Sequence, residues 1–171
     1  MAPRNSGGNS KAPPPPVAAP PPVVFPPEAS APPGGWTTGL CGCFDNPLNC
    51  LITCFCPCIT FGQNAEIIDR GGTSCACAGL TCCLIFHCFG CTYWYTCTYR
   101  TKLRGHHSIP GGECADCCLH YWCELCAICQ EYRELKNRGF DPSIGWAANA
   151  ERMSRPVGVT VPPSIPGGMV R

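Results

Sequence analysis

Two Cys-rich apolar stretches that carry no Lys, Arg, Asp or Glu set the expected architecture. The first covers residues 46–65. Its apolar part is short and holds Pro57. As a helix it would cover only ~22 Å, against a hydrocarbon core of ~30 Å, so it reads as a marginal or broken, partly re-entrant span. The polar link Glu66-Ile67-Ile68-Asp69-Arg70-Gly71-Gly72 follows and ends in a glycine turn. The second charge-free stretch runs over residues 71–99. Its centre, 75–98, would form a helix of ~36 Å, long enough to cross a bilayer with tilt. Tyr93, Trp94, Tyr95 and Tyr99 gather at its end in the manner of an interfacial aromatic belt. A buried helix of a soluble protein is the competing reading; the length of the run and the aromatics favour the span.

Arg100, Lys102 and Arg104 come directly after the second stretch, whereas the link before it mixes Glu66, Asp69 and Arg70. The excess of positive charge puts the Arg100 end in the cytoplasm. If both runs cross, both termini are cytoplasmic as well. After Gly111-Gly112 a third helix is expected over 113–138, with Glu134 and Arg138 paired at i,i+4 and a stop at Gly139 and Pro142. Residues 1–35 hold most of the prolines and read as a polyproline II or disordered tail, a spacer or a ligand for an aromatic groove. Residues 150–171 read as a mobile tail. The expected fold is therefore an all-α membrane protein. It has two hydrophobic helical runs (46–65 and 75–98), a cytoplasmic Cys-rich amphipathic helix and disordered tails around a domain of residues 36–149.

Composition sharpens this picture in one respect. All 19 cysteines lie between Cys41 and Cys129. Such density signals a disulfide framework, a metal-binding protein, or lipid-embedded segments that use Cys as a small hydrophobe. Residues 1–33 contain no continuous apolar leader segment, and the cysteine count is odd, so a secreted disulfide scaffold is disfavoured. Charge is nearly balanced, 12 Lys+Arg against 11 Asp+Glu, so no basic field exists for nucleic acid. No nucleophile elbow, phosphate-cradling loop or HExxH string is present, and an enzyme is not expected.

Candidate chemistry lies in three places. In Cys50-Leu51-Ile52-Thr53-Cys54-Phe55-Cys56-Pro57-Cys58, the cysteines at 50, 54 and 58 share one helical face, and Pro57 frees a backbone carbonyl. Thiols and carbonyls there form weak cation sites, or the cysteines simply pack around a kink. Asp116, His120 and Glu124 recur every four residues, with Cys123 and Glu131 on the same side. That donor set suits a borderline-soft ion such as zinc; the alternative is a solvated face. Cys114-x-x-Cys117 and Cys123-x-x-Cys126-x-x-Cys129 fit a closed structural zinc site, or are neighbours on one helix. His87, inside the second run, is a ligand or a packed, hydrogen-bonded residue.

The string Cys-Leu-x-x-x-x-Cys-Pro-Cys resembles the signature of the plant cadmium resistance and cell number regulator family, a branch of the placenta-specific-8-type cysteine-rich proteins. Its flanks agree: Trp36-Thr37-Thr38-Gly39-Leu40, residues 60–71, Gln130-Glu131-Tyr132-Arg133-Glu134-Leu135-Lys136 and Gly145-Trp146. The likeness covers about residues 36–152. It departs in the central run, which is rich in cysteine (Cys75, Cys77, Cys82, Cys83, Cys88, Cys91, Cys97) and holds His87. The resemblance implies a two-span plasma-membrane protein for zinc or cadmium transport or resistance, with Cys50, Cys56, Pro57 and Cys58 as its signature residues. The alternative it implies is a membrane regulator of cell number acting through protein partners, with only structural zinc. Passive chelation at the membrane face is a third reading.

Two or three short helices cannot enclose a pathway alone, so conduction requires a homo-oligomer in lipid. Permeation needs weak, multiple sites. That favours Glu66, Asp69, Asp116 and Glu124 as transfer ligands, with Cys50, Cys54, Cys56, Cys58, His120 and Cys123 as further candidate ligands. No cofactor is required, and zinc is the candidate structural ion.

Overall fold

A computed structural model describes residues 34–154. Among the described residues the structure is all-helical. Its α-helices are α1 (Pro47–Phe55), α2 (Pro57–Ile68), α3 (Cys75–Phe89), α4 (Tyr93–His106), α5 (Glu113–Asn137) and α6 (Gly145–Ser154). The Pro-rich tail, apart from Gly34 and Gly35, and residues 155–171 lie outside the described residues. Residues 150–154, expected in the tail, extend α6. They are held there by Arg152, which donates to the Gly139 carbonyl.

The first charge-free run breaks where its proline stands. Asn46 caps α1 by accepting from the Asn49 amide, with Pro47 in the first turn. Cys56 then leaves the helical region (φ −140°, ψ 70°), as a residue before proline does, and Pro57 opens α2. The chain bends by 114° between the two helices. The Thr53 hydroxyl bridges the Asn49 carbonyl (2.7 Å) and the Thr60 hydroxyl (2.9 Å), so the polar groups inside the bend are satisfied.

The second run is not the single helix expected over 75–98. Ser74 caps α3, and Gly90 ends it in the left-handed conformation (φ 67°), where glycine has no Cβ penalty. A new helix begins at Tyr93. Its 15 residues give α3 a length of ~22 Å, short of a hydrocarbon core. No single helix among the described residues is both long and apolar enough to cross a membrane; the bent pair α1–α2 passes by length and composition.

Helix α3 folds back on α2 through paired glycines. A Cβ on Gly62 would lie 2.4 Å from the Cys75 carbonyl oxygen, and one on Gly79 would lie 2.9 Å from that of Cys58. The backbones approach as closely as small-residue helix pairs in membranes do. Around this hairpin sits the core: Phe61, Ala65, Ile68, Ala78, Tyr99, Leu103, Ile128 and Leu135. Phe61 makes edge contacts with Tyr95 (5.2 Å) and Tyr99 (5.1 Å). Asn64 donates to the Ile128 carbonyl and fixes α2 on α5.

Outward, α1 and α3 turn large apolar groups: Leu48, Leu51 and Phe55 on one, Leu80, Leu84 and Phe89 on the other. Phe55 is 79% exposed and Phe89 76%. Tyr121, Trp122 and Leu125 on α5 are also exposed, beside the point where Cys123 (φ −139°, ψ 46°) kinks that helix.

The segment just after Gly34 and Gly35 lies along the second half of α5. Thr37 donates its amide and hydroxyl to Glu134 (2.7 and 2.6 Å). Gln130 donates to the Thr38 carbonyl and Arg133 to that of Gly39. The Trp36 ring stacks 3.9 Å from the Arg100 guanidinium. The expected Glu134–Arg138 pair is formed, at 2.7 Å, and α5 stops before Gly139 (φ 89°).

Candidate functional site

Two polar stripes face each other across the α4–α5 interface. On α4 and at its start stand Thr92, Thr96, Arg100 and Arg104, four residues apart. On α5 stand Asp116, His120 and Glu124, also four apart, with Glu131 beyond the kink. Such spacing keeps each set on one helical face.

The contacts form a chain through the interface. Glu124 Oε1 accepts from the hydroxyls of Thr92 (2.5 Å) and Thr96 (2.8 Å). The Thr96 hydroxyl also lies 3.0 Å from His120 Nδ1, and His120 Nε2 lies 3.0 Å from Glu131 Oε1. Arg100 Nη1 is 3.5 Å from the same carboxylate oxygen, and Arg100 Nε is 3.3 Å from Asp116 Oδ1. Asp116 Oδ2 accepts from Arg104 Nε (2.7 Å) and Nη2 (2.6 Å) and from Thr101 (3.0 Å). His120 and Glu131 are fully buried, and Glu131 Oε2 has no hydrogen-bond partner. Buried charge is costly unless paired; here Asp116 and Glu131 each face a guanidinium, but Arg100 Nε and Nη1 reach them at ion-pair distance without a hydrogen bond.

The structure thus brings Asp116, His120 and Glu124 together on one stripe, as their spacing implies. It places that stripe against α4 rather than in solvent. Asp116 is paired with two arginines. Glu124 is half-buried and held by hydroxyls. Cys123 is not part of the group: it sits exposed at the kink.

Glu66 and Asp69 are apart from this interface. Glu66 accepts from the Cys75 and Trp146 amides (3.0 and 2.8 Å) and so fastens α3 and α6 to α2. Asp69 accepts from Lys102 and Thr73. Burial pushes its carboxyl up, but the bonds from Lys102 and Thr73 outweigh this and hold it below the usual carboxylate range.

All the cysteines are free thiols. Cys54 and Cys56 are exposed; Cys50 and Cys58 are half-buried. Burial pushes the Cys129 and Cys126 thiols up to about 11, so both are protonated at neutral pH. Cys114 is exposed, while Cys117 turns toward Cys97 on α4. Among the described residues no three His, Cys, Asp or Glu side chains converge to hold a metal ion. His87 sits in α3 with its ring 5.6 Å from that of Phe86.

The α4 stripe was missed in the sequence, where Arg100 and Arg104 read as a marker of membrane orientation. The signal was present as the repeat Thr92, Thr96, Arg100, Arg104, matched in period to Asp116, His120, Glu124.

Residues 36–134 match the model of the PLAC8 family. The chain is 52% identical over 139 residues to Plant Cadmium Resistance 2 of Arabidopsis thaliana, covering 81% of this chain and 91% of that protein. It is 52% identical over 141 residues to Cell number regulator 1 of Zea mays, covering 80% and 74%. Cell number regulator 4 of Zea mays is 56% identical over 116 residues, covering 66% and 73%. No solved structure matches the chain. The cysteine string around Pro57, the Trp36 segment and the α4–α5 stripes all lie within the matched residues, and the chain belongs to the PLAC8 family.

Proposed function

We propose that this protein resides in the plasma membrane, with both termini cytoplasmic, and moves zinc or cadmium ions across it as a homo-oligomer. The observation that carries this reading is the pairing of an apolar exterior on α1 and α3 with a buried ionic interface between α4 and α5. Large exposed apolar area in a folded chain marks a surface made for lipid or protein, and ionisable groups behind such a surface mark a polar route. Relatives of half-identical sequence named for cadmium resistance support the cargo.

Within the interface, Glu124 is the strongest transfer ligand. Its recorded partners are two threonine hydroxyls, which yield to a passing cation more readily than the arginines that hold Asp116. The test is uptake and release of radioactive zinc by purified protein in liposomes. Glu124→Gln should lower the flux about tenfold, the consequence of losing roughly 1.4 kcal/mol at one transfer step. Wild-type flux no greater than that of empty vesicles would end the proposal.

A second reading rests on the relatives named cell number regulators, which are just as similar to this chain. In that case the apolar face and the Trp36 segment serve a membrane regulator that works through protein partners. It predicts changed cell counts in tissue expressing the protein, with no metal flux in liposomes and no effect of Glu124→Gln.

A further inference from the structure

Cys97 lies in α4 and Cys117 in α5, and their sulfurs are 2.8 Å apart. This is shorter than the ~3.5–4.0 Å of ordinary nonbonded contact. Cys97 is buried and Cys117 half-buried, so one sulfur is shielded and the other can be reached. Each is next in sequence to a member of the polar chain: Thr96 precedes Cys97, and Asp116 precedes Cys117. The contacts of Thr96 with Glu124 and of Asp116 with Arg104 hold both helices in register at this point.

Two fates for such a pair can be weighed by displacement. A disulfide needs the sulfurs to close to ~2.05 Å, a movement of about 0.8 Å. A tetrahedral zinc ion, with Zn–S near 2.3 Å, needs them to part to roughly 3.7 Å and needs two further ligands. The adjacent carboxylate of Asp116 is taken by Arg100 and Arg104, and no third donor converges here among the described residues.

We infer that Cys97 and Cys117 form an oxidative modification site: a reversible disulfide that staples α4 to α5. With hydrogen peroxide as oxidant, the thiolate of Cys117 attacks a peroxide oxygen. The O–O bond breaks, and the products are a sulfenic acid and a water molecule, once the released hydroxide has taken up a proton. The Cys97 sulfur then attacks the sulfenic sulfur. The S–S bond forms, the S–O bond breaks, and the departing hydroxide leaves as a second water with the Cys97 proton. Two thiols are oxidised by two electrons, and one peroxide is reduced to two waters. The assignment is independent of the metal-transport reading.

The test is a linkage map of the full-length protein in detergent. The protein is treated with equimolar hydrogen peroxide, its free thiols are blocked with N-ethylmaleimide, and tryptic peptides are sequenced by tandem mass spectrometry. Arg100, Lys102 and Arg104 place cleavage sites between the two cysteines. The expected result is a linked peptide pair joined at Cys97 and Cys117, formed before other cysteine links and released by dithiothreitol. Either Cys97→Ser or Cys117→Ser should abolish that pair and leave the remaining map unchanged. Recovery of both residues as alkylated thiols while other cysteines have paired would overturn the assignment. So would protection of this pair by added zinc in wild-type protein, which would make it a metal site. The wild-type map needs no variant, so the outcome stands even if a substitution prevents folding.

Discussion

The α1–α3 half and the α4–α5 half are built on opposite plans. The first turns Leu51, Phe55, Leu84 and Phe89 outward and brings backbones together through Gly62 and Gly79. The second turns charge inward: Asp116, Glu131, Arg100 and Arg104 are all buried between the helices. The first half depends on close shape and on what surrounds it. The second depends on each charge having its partner. Substitutions that respect one plan should violate the other.

The largest effect is expected from removing a charge inside α4–α5. Asp116→Ala leaves buried Arg104 without a carboxylate and Arg100 with Glu131 alone, and should destabilise the fold by about 3–5 kcal/mol, measured by chemical unfolding in detergent. If the cost is under about 1 kcal/mol, water reaches this interface and the contrast between the halves weakens. Next is Gly62→Val, whose side chain would collide with the Cys75 carbonyl and force α2 from α3. It should cost about 1–3 kcal/mol by the same measurement. By contrast, Leu84→Gln and Phe89→Gln remove outward apolar groups. They should leave unfolding within about 0.5 kcal/mol of wild type while lowering the vesicle-bound fraction in flotation assays. Equal flotation of wild type and variants would show that this face meets something other than lipid.

The smallest effect concerns Asp69. Its carboxyl is held below the usual range, so its contribution is fully present above the unfolded value of ~3.9 and is lost as pH falls through the lower folded value. Lys102 is 47% exposed, and screening keeps the pair under ~1 kcal/mol. Asp69→Asn should therefore unfold slightly more easily than wild type at pH 7, and the gap should narrow as pH falls below ~3.9.

What could be read in advance follows the same division. Helix periodicity and local breakers placed α5, its stop before Gly139 and the disturbance at Pro57, because those depend on neighbours in sequence. The length of the central run was misjudged. Gly90 lies in an apolar string with no proline or charge to mark an end, and only the left-handed conformation it adopts shows the stop. The α5 stripe was legible as a spacing of four, but its partners were not. Pairing Arg100 and Arg104 with Asp116 requires the α4–α5 turn, which composition does not specify. The thiols gave the poorest guidance: nineteen similar side chains fit many groupings, and only packing shows which of them meet, as Cys97 meets Cys117.

The Trp36 segment gives the fold a clasp. Residue 36 rests on Arg100 and residue 37 grips Glu134, so the two ends of the family-matched stretch, 36 and 134, are fastened at one place. Cutting the chain ahead of Gly34 removes none of these fastenings, whereas cutting past Gly39 opens the clasp, takes the Thr38 and Gly39 carbonyls from Gln130 and Arg133, and leaves Glu134 with Arg138 alone. The integrity of the shared unit therefore rests in part on this short stretch being kept.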